Sequence, residues 1–342
     1  MSEITTVGLD TAKSVFHVIG LNRTGKVVER KQLRRSKLLV YFANLPVTLV
    51  GLETCGGSHY WGRELERLGH RVRLIPARDS RALVRTQKND YHDALAIAEA
   101  VRRPAQRFVA VKTPAEQDLQ VLHRLRRGAI RERTALSNRL RGLLAEYGIV
   151  MPKGLARLRR GVPELLEDAD NGLSGLLREL LAEALAQLQR LDAWIGDLDV
   201  RLRRQVSADA QAQRLLTVPG FGPVVASVWR ARMGDGRQFG RGREAAAAIG
   251  LVPRQATTGG RPQLLGITKT GDRELRSLLI HGARSVIVHA HQKDDALSRW
   301  ACQLQARRGT HKATVALANK IARIAWAVSV RETPFAPRSA AS

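Results

Sequence analysis

Val47-Thr48-Leu49-Val50-Gly51-Leu52-Glu53 is an apolar run that ends in a carboxylate, and Thr54-Cys55-Gly56-Gly57-Ser58 follows it. Its length and β-branched content read as a buried strand, and the glycine-containing stretch behind it as the start of a helix. Upstream, Thr5-Thr6-Val7-Gly8-Leu9-Asp10 repeats the pattern, a short strand with an acid at its end. Ser14 to Gly20 is β-prone, and Arg23-Thr24-Gly25-Lys26 is a turn before Val27-Val28, so the chain opens with a strand and a hairpin. A helix over Ser36 to Leu45 and a strand over Arg71 to Pro76 continue the rhythm. Strands and helices in this order predict an α/β layer with a mixed sheet.

The next stretch outward is Lys88-Asn89-Asp90-Tyr91-His92-Asp93-Ala94-Leu95-Ala96-Ile97-Ala98-Glu99-Ala100, a strong helix former in its second half. Asp90 and Asp93 fall on one helix face, where two carboxylates repel unless a cation or a proton intervenes. Acids in a first turn also simply complement the helix dipole. In open α/β sheets, however, sites gather beyond the carboxyl ends of the strands, where Asp10 and Glu53 stand. Four carboxylates from separate parts of the chain are a hard oxygen set suited to Mg²⁺ or Mn²⁺. Two such ions ~3.5–4 Å apart can activate a nucleophile and stabilise a leaving oxygen in phosphoryl transfer.

The 342 residues include 57 Lys and Arg against 31 Asp and Glu, a net charge of +26, with a hydrophobic fraction of 44% that allows real cores. Such an excess calls for a polyanion, with nucleic acid first. No apolar run reaches the ~18 residues of a membrane span, and Met1-Ser2-Glu3-Ile4-Thr5 is no signal peptide. Cys55 and Cys302 make neither a disulfide framework nor a zinc pattern, which suits a reducing cytoplasm. A Walker phosphate loop is missing, so nucleotide hydrolysis has no support.

From Ala115 to Gln213 the pattern is helical almost throughout. Arg124, Arg126, Arg127, Arg131, Arg133, Arg139 and Arg141 face few balancing acids and read as a phosphate-binding surface. Met151 to Gly175, broken by Pro and Gly, reads as a connection. Leu188, Leu191, Ile195, Leu198 and Leu202 have coiled-coil spacing over a short span, as does a helix packed on its own domain. Pro219-Gly220-Phe221-Gly222 ahead of an apolar helix fits a helix-hairpin-helix contact to a DNA backbone, through close approach at glycine and N–H groups at the helix start. Thr257-Thr258-Gly259-Gly260 reads as a turn. Beyond it, Lys269, Arg273 and Arg276 are phosphate-binding candidates near a helix start. Ala313 to Val330 is an apolar core helix, and Pro334 to Ser342 a disordered tail.

Val7-Gly8-Leu9-Asp10-Thr11-Ala12-Lys13, Gly51-Leu52-Glu53-Thr54 and Asn89-Asp90-Tyr91-His92-Asp93-Ala94 resemble the DEDD motif of insertion-sequence-110 transposases, and the subgroup resembles insertion-sequence-1111. The resemblance runs from about Thr5 to Val330 in the family's motif order. It implies an RNA-guided recombinase that cuts and rejoins DNA to move its own element, with a structured noncoding (bridge) RNA choosing the sequences. By resemblance, residues 1–112 form a RuvC-like domain of the ribonuclease H fold, with Asp10, Glu53, Asp90 and Asp93 holding Mg²⁺. Residues 113–210 form a helical, partly coiled-coil-like linker that supports a homo-oligomer, and 211–332 a mostly helical transposase domain. The family commonly has a nucleophilic Ser before the loop glycine. This chain has Thr257-Thr258 there, which makes Thr258 the first candidate nucleophile and Thr257 the second. A DNA invertase of the same build, a Holliday-junction nuclease using water, and a non-catalytic basic binder are the alternatives.

Overall fold

The computed structural model describes residues 3–81, 89–104 and 106–337; Lys88 and the last five residues of the tail lie outside them. The chain divides into two compact units, Met1–Ala115 and Glu116–Ser342.

In the first unit, β1 (Thr6–Thr11), β2 (Val15–Leu21), β3 (Val27–Arg34), α1 (Leu38–Ala43), β4 (Leu49–Glu53), α2 (Ser58–Arg67), β5 (Arg71–Ile75), α3 (Ala77–Arg81) and α4 (Asp90–Val101) follow one another. The five strands form one sheet in the order β3-β2-β1-β4-β5. β2 runs antiparallel to both β1 and β3, whereas β1, β4 and β5 are parallel. The sheet is therefore mixed, as the sequence predicts.

Side chains alternate across a sheet, and that alternation sorts the residues of β1 and β4. Val7, Leu9, Val50 and Leu52 face one way and pack with Phe42, Trp61 and Leu65 from α1 and α2. Gly8, Asp10, Gly51 and Glu53 face the other way, toward α4. Gly8 and Gly51 are register partners, so the sheet has no side chains at its centre there. α4 settles directly onto the backbone, and its Ala94 and Ala98 pack with Ile19 and Leu21.

The second unit holds α5 (Pro114–Glu146), α6 (Leu155–Glu167), α7 (Gly175–Ala208), α8 (Ala210–Leu215), α9 (Pro223–Met233), α10 (Gly242–Ala248), β6 (Pro253–Thr258), β7 (Arg261–Ile267), α11 (Arg273–His289), α12 (Ala296–Arg308) and α13 (Thr310–Arg331), α5 beginning just before the boundary. Three readings change here. The expected connection over 151–175 contains α6, because Leu158 and Val162 form an apolar face that packs with Leu140, Leu144 and Leu181 and outweighs Pro163. In the stripe from Leu188 to Leu202, Leu188, Leu191, Ile195 and Leu202 pack with residues of α5, α6 and α8, in keeping with the alternative of a helix packed on its own domain. α13 is long and apolar enough to cross a membrane by length and composition, contrary to the expected absence of such a run. Its Leu317, Ile321 and Ala325 are fully buried in the C-terminal core. Finally, Phe335 packs on that core and its N–H donates to Thr217 Oγ1 at 2.8 Å, which ties down part of the expected disordered tail.

β6 and β7 form a two-stranded hairpin, an element the predominantly helical reading of this region did not contain. Its turn is Gly259-Gly260, with φ of 57° and 75°. Two consecutive positive φ angles are what a tight hairpin turn needs, and glycine adopts them without a steric penalty.

Candidate active site

Asp10 directly follows the buried residues Thr6 to Leu9 of β1 and lies on the α4 face. Asn89 caps α4, its side chain accepting the Tyr91 N–H at 3.0 Å, which fixes where the helix begins and sets Asp90 and Asp93 in its first turn. Carboxylate oxygens of Asp10, Asp90 and Asp93 all lie within 4.8 Å of one another. Glu53 stands one strand over but outside this tight group, its carboxylate accepting the Ser80 hydroxyl at 2.5 Å.

The electrostatics follow from this crowding. Burial pushes the Asp10 carboxyl up to about 6, and the charges of Asp93, Asp90 and Glu53 add to the rise while His17 opposes it. His17 is the register partner of Asp10 on β2. Its Nδ1 stands 3.6 Å from Asp90 Oδ2, and its ring meets Tyr91 edge-on. Repulsion among clustered carboxylates is the condition that a bound cation relieves, and the all-oxygen donor set fits a hard divalent ion. The residues present therefore fit a divalent metal.

His17 and Ser80 were not singled out from the sequence. His17 was within reach of that reading, since a hairpin returning after Asp10 puts a β2 side chain beside it. Ser80 was not, because its place depends on how α3 crosses the end of β4.

The remaining candidates lie in the second unit. Thr257 and Thr258 are exposed on β6, paired with Pro262 and Arg261. The Thr257 hydroxyl accepts from Gln255 Nε2 at 3.0 Å, whereas the Thr258 hydroxyl makes no side-chain hydrogen bond among the described residues. On α5, Arg126 pairs with Asp199, Arg133 with Asp192 and Arg127 with Glu274, while Arg141 donates to the Ser137 and Gly154 carbonyls. Arg124, Arg131 and Arg139 are exposed, lack a carboxylate partner among the described residues, and lie opposite the buried Leu140 and Leu144. Gly220, at φ 82°, packs its backbone on Gly282 of α11, and Gly222 caps α9 ahead of Pro223. Lys269 (φ 56°) and Arg273 are exposed. Arg276 is buried and donates to the carbonyls of Ile249 and Thr270.

Comparison with known proteins bears on the same residues. An IS110 DEDD model described as "Transposase" matches residues 7–149, the range that holds all four acids. A second model, "Transposase IS116/IS110/IS902 family", matches residues 212–299, the range with the hairpin. The chain belongs to the IS110 transposase family. It is 46% identical over 335 residues to a "Probable family 20 transposase" of Pseudomonas aeruginosa, covering 98% of this chain and 99% of that one. It is 40% identical to the "Transposase for insertion sequence element IS1111A" of Coxiella burnetii, over 98% of this chain and 92% of the relative. The transposase for element IS1328 of Yersinia enterocolitica is 37% identical over 98% and 99%. This IS110-family transposase is thus an enzyme that cuts and rejoins DNA, and its acidic cluster lies in the part matched by the DEDD model.

Proposed function

We propose that this transposase cuts DNA at a RuvC-like site in which Asp10, Glu53, Asp90 and Asp93 hold Mg²⁺, and that Thr258 is its nucleophile. The observation that carries the reading is the convergence of Asp10, Asp90 and Asp93. The strand order β3-β2-β1-β4-β5, with β2 antiparallel and a helix laid across β1, supports the ribonuclease H assignment. A divalent ion bound there supplies Lewis-acid polarisation of the scissile phosphate.

The chain's own residues do the rest. Ser80 orients Glu53 by its hydrogen bond, and Asn89 fixes the helix start that presents Asp90 and Asp93. The Thr258 oxygen forms a bond to phosphorus, the bond from phosphorus to the departing strand breaks, and the departing strand's oxygen takes up the proton that Thr258 gives up. The resulting ester conserves the bond energy, so a second strand's hydroxyl rejoins DNA by the reverse exchange and no nucleotide is consumed. The exposed Thr258 hydroxyl, next to two glycines that let a DNA backbone approach, supports this choice over Thr257.

The net charge of +26 and the ridge of Arg124, Arg131 and Arg139 support phosphate binding, with Gly222, Lys269 and Arg273 as further contacts. In this reading an element-encoded guide RNA selects donor and target, and a helical linker joins the two catalytic parts. Copies of the chain assemble as a dimer or tetramer, associated with the nucleoid. The test is Mg²⁺-dependent nicking of a supercoiled plasmid carrying the element ends. Asp10→Asn should abolish nicking and leave DNA binding intact; nicking at the wild-type rate would remove the metal site.

A further inference from the structure

The loops that follow the acidic strands also build a second feature, on the other face of the sheet. A cavity of about 690 Å³ is lined by Lys13, Ser14, Arg34, Arg35, Tyr60 and Trp61, among others, within the ~300–1,000 Å³ range of small-ligand pockets. Lys13 follows β1, Arg34 ends β3, and Tyr60 and Trp61 sit in the first turn of the helix after β4. Because β1, β3 and β4 run in the same direction, the cavity opens at the carboxyl edge of the sheet, the edge where Asp10 and Glu53 stand. Thr11 Oγ1 and Cys55 Sγ, 2.9 Å apart, tie the loops after β1 and β4 together.

The lining is specific in kind. Trp61 is buried against Phe16, and the Arg35 guanidinium lies over its ring at 4.8 Å. Tyr60 is 40% exposed and meets Trp61 edge-on, so part of its ring is accessible to a ligand. Lys13, Arg34 and Arg35 are exposed and have no carboxylate partner among the described residues. Three uncompensated cations around an accessible aromatic ring form a site for a phosphate joined to a planar base, the combination used to hold single-stranded nucleic acid.

We propose that this cavity binds an unpaired nucleotide of the DNA strand being cut, its base stacked on Tyr60 and its phosphate held by Lys13, Arg34 and Arg35. The proposal rests on the acidic cluster being the cleavage site. A strand whose scissile phosphate lies over Asp10 then passes around the sheet edge into the cavity. DNA is favoured over RNA because the cavity shares that edge with the cutting site.

The test uses the full chain in EDTA, so that neither metal nor cleavage is involved. Single-stranded oligodeoxynucleotides containing 5-iododeoxyuridine are photo-crosslinked and the adduct is mapped by mass spectrometry. An adduct at Tyr60 is expected. Tyr60→Ala should lose it and weaken binding about five-fold or more, while Tyr60→Phe retains both. Lys13→Ala, a change on the exposed rim, should lower the adduct yield without altering the melting temperature. Adducts that avoid the cavity, an unchanged affinity in Tyr60→Ala, or preferential competition by RNA of the same sequence would overturn the proposal. Failure of the crosslink removes the cavity site alone, whereas retained nicking by Asp10→Asn removes the cleavage reading.

Discussion

Gly8 lies so close to the backbone of α4 that a methyl group on its Cα would come within 2.0 Å of the Ala94 carbonyl oxygen and 2.6 Å of the Ala98 nitrogen. This contact sets the height of α4 above the sheet, and with it the distance from Asp10 to Asp90 and Asp93. Gly8→Ala must lift the helix, since backbone cannot yield as a side-chain tip can. The expected cost is the ~1–3 kcal/mol of overpacking or more, read as a lower melting temperature. Isothermal titration with Mn²⁺ should show weakened binding in the variant fraction that folds. An Ala variant with unchanged melting and Mn²⁺ affinity would show that the contact does not position the site.

A half-buried carboxylate beside two others destabilises the metal-free protein. Asp10→Asn removes one charge and keeps the shape, so in EDTA near neutral pH the variant should melt at or above the wild-type temperature. Mn²⁺ should then raise the melting temperature of the wild type and leave that of Asp10→Asn nearly unchanged, because a ligand stabilises only the state that binds it. Differential scanning fluorimetry with and without Mn²⁺ reads both effects. An equal Mn²⁺ shift in the two proteins would place the ion elsewhere.

The acids of this site were legible because each stands at the end of a strand or the start of a helix that its neighbours announce. Gly8 and Gly51 are plain in the sequence, but their purpose is not. Only the pairing of Gly8 with Gly51 across parallel strands shows that together they seat α4. The β6–β7 hairpin carried a local signal, Gly-Gly between short extended runs. That signal was outweighed by the helical pattern on both sides. Arg276 illustrates what spacing cannot give: an arginine near a basic helix start reads like its neighbour Arg273, and only the folded loop shows that it holds carbonyls of its own chain.

That difference between neighbours is measurable. Arg276→Met removes a buried donor from the carbonyls of Ile249 and Thr270, at an expected cost of about 1.5–3 kcal/mol. Its main effect should be on thermal stability. Arg273→Ala should leave stability unchanged and, if Arg273 contacts a phosphate, lower the salt slope of DNA binding by about 1. Fluorescence anisotropy across a salt series, alongside melting curves, separates the two. The reverse pattern would mean that Arg276 reaches the nucleic acid.

His123 is buried on α5, its Nε2 2.9 Å from the Ser227 hydroxyl. Burial lowers it to about 4, helped by the charges of Arg126, Arg232 and Arg127. Between about 6.5 and 4 the unfolded chain binds the proton that the folded chain refuses, so stability is complete above this window and falls as pH drops through it. His123→Gln can keep a hydrogen bond to Ser227 without titrating. It should flatten the fall in urea-derived stability between pH 7 and 4 by at most about 3 kcal/mol. His59, lowered to about 4 mainly by its own burial, leaves a residual slope in the same window. An unaltered slope in His123→Gln would mean that the ring protonates freely in the fold.

In the proposed reaction, Thr258 and Thr257 differ in geometry as well as position. Successive strand residues point to opposite faces, so a DNA strand laid on the hairpin meets one hydroxyl and not the other. Thr257 is engaged by Gln255, and Thr258 stands next to the Gly259-Gly260 turn. Thr258→Ala should lose the covalent protein–DNA adduct, seen as a denaturant-resistant band with labelled element-end DNA. Thr257→Ala should keep it. Thr258→Ser should retain or raise the yield, because removing the methyl relieves crowding along the line of attack. An adduct that persists in Thr258→Ala and disappears in Thr257→Ala would reverse the assignment. Persistence in both single variants and in the double variant would move the nucleophile off this hairpin.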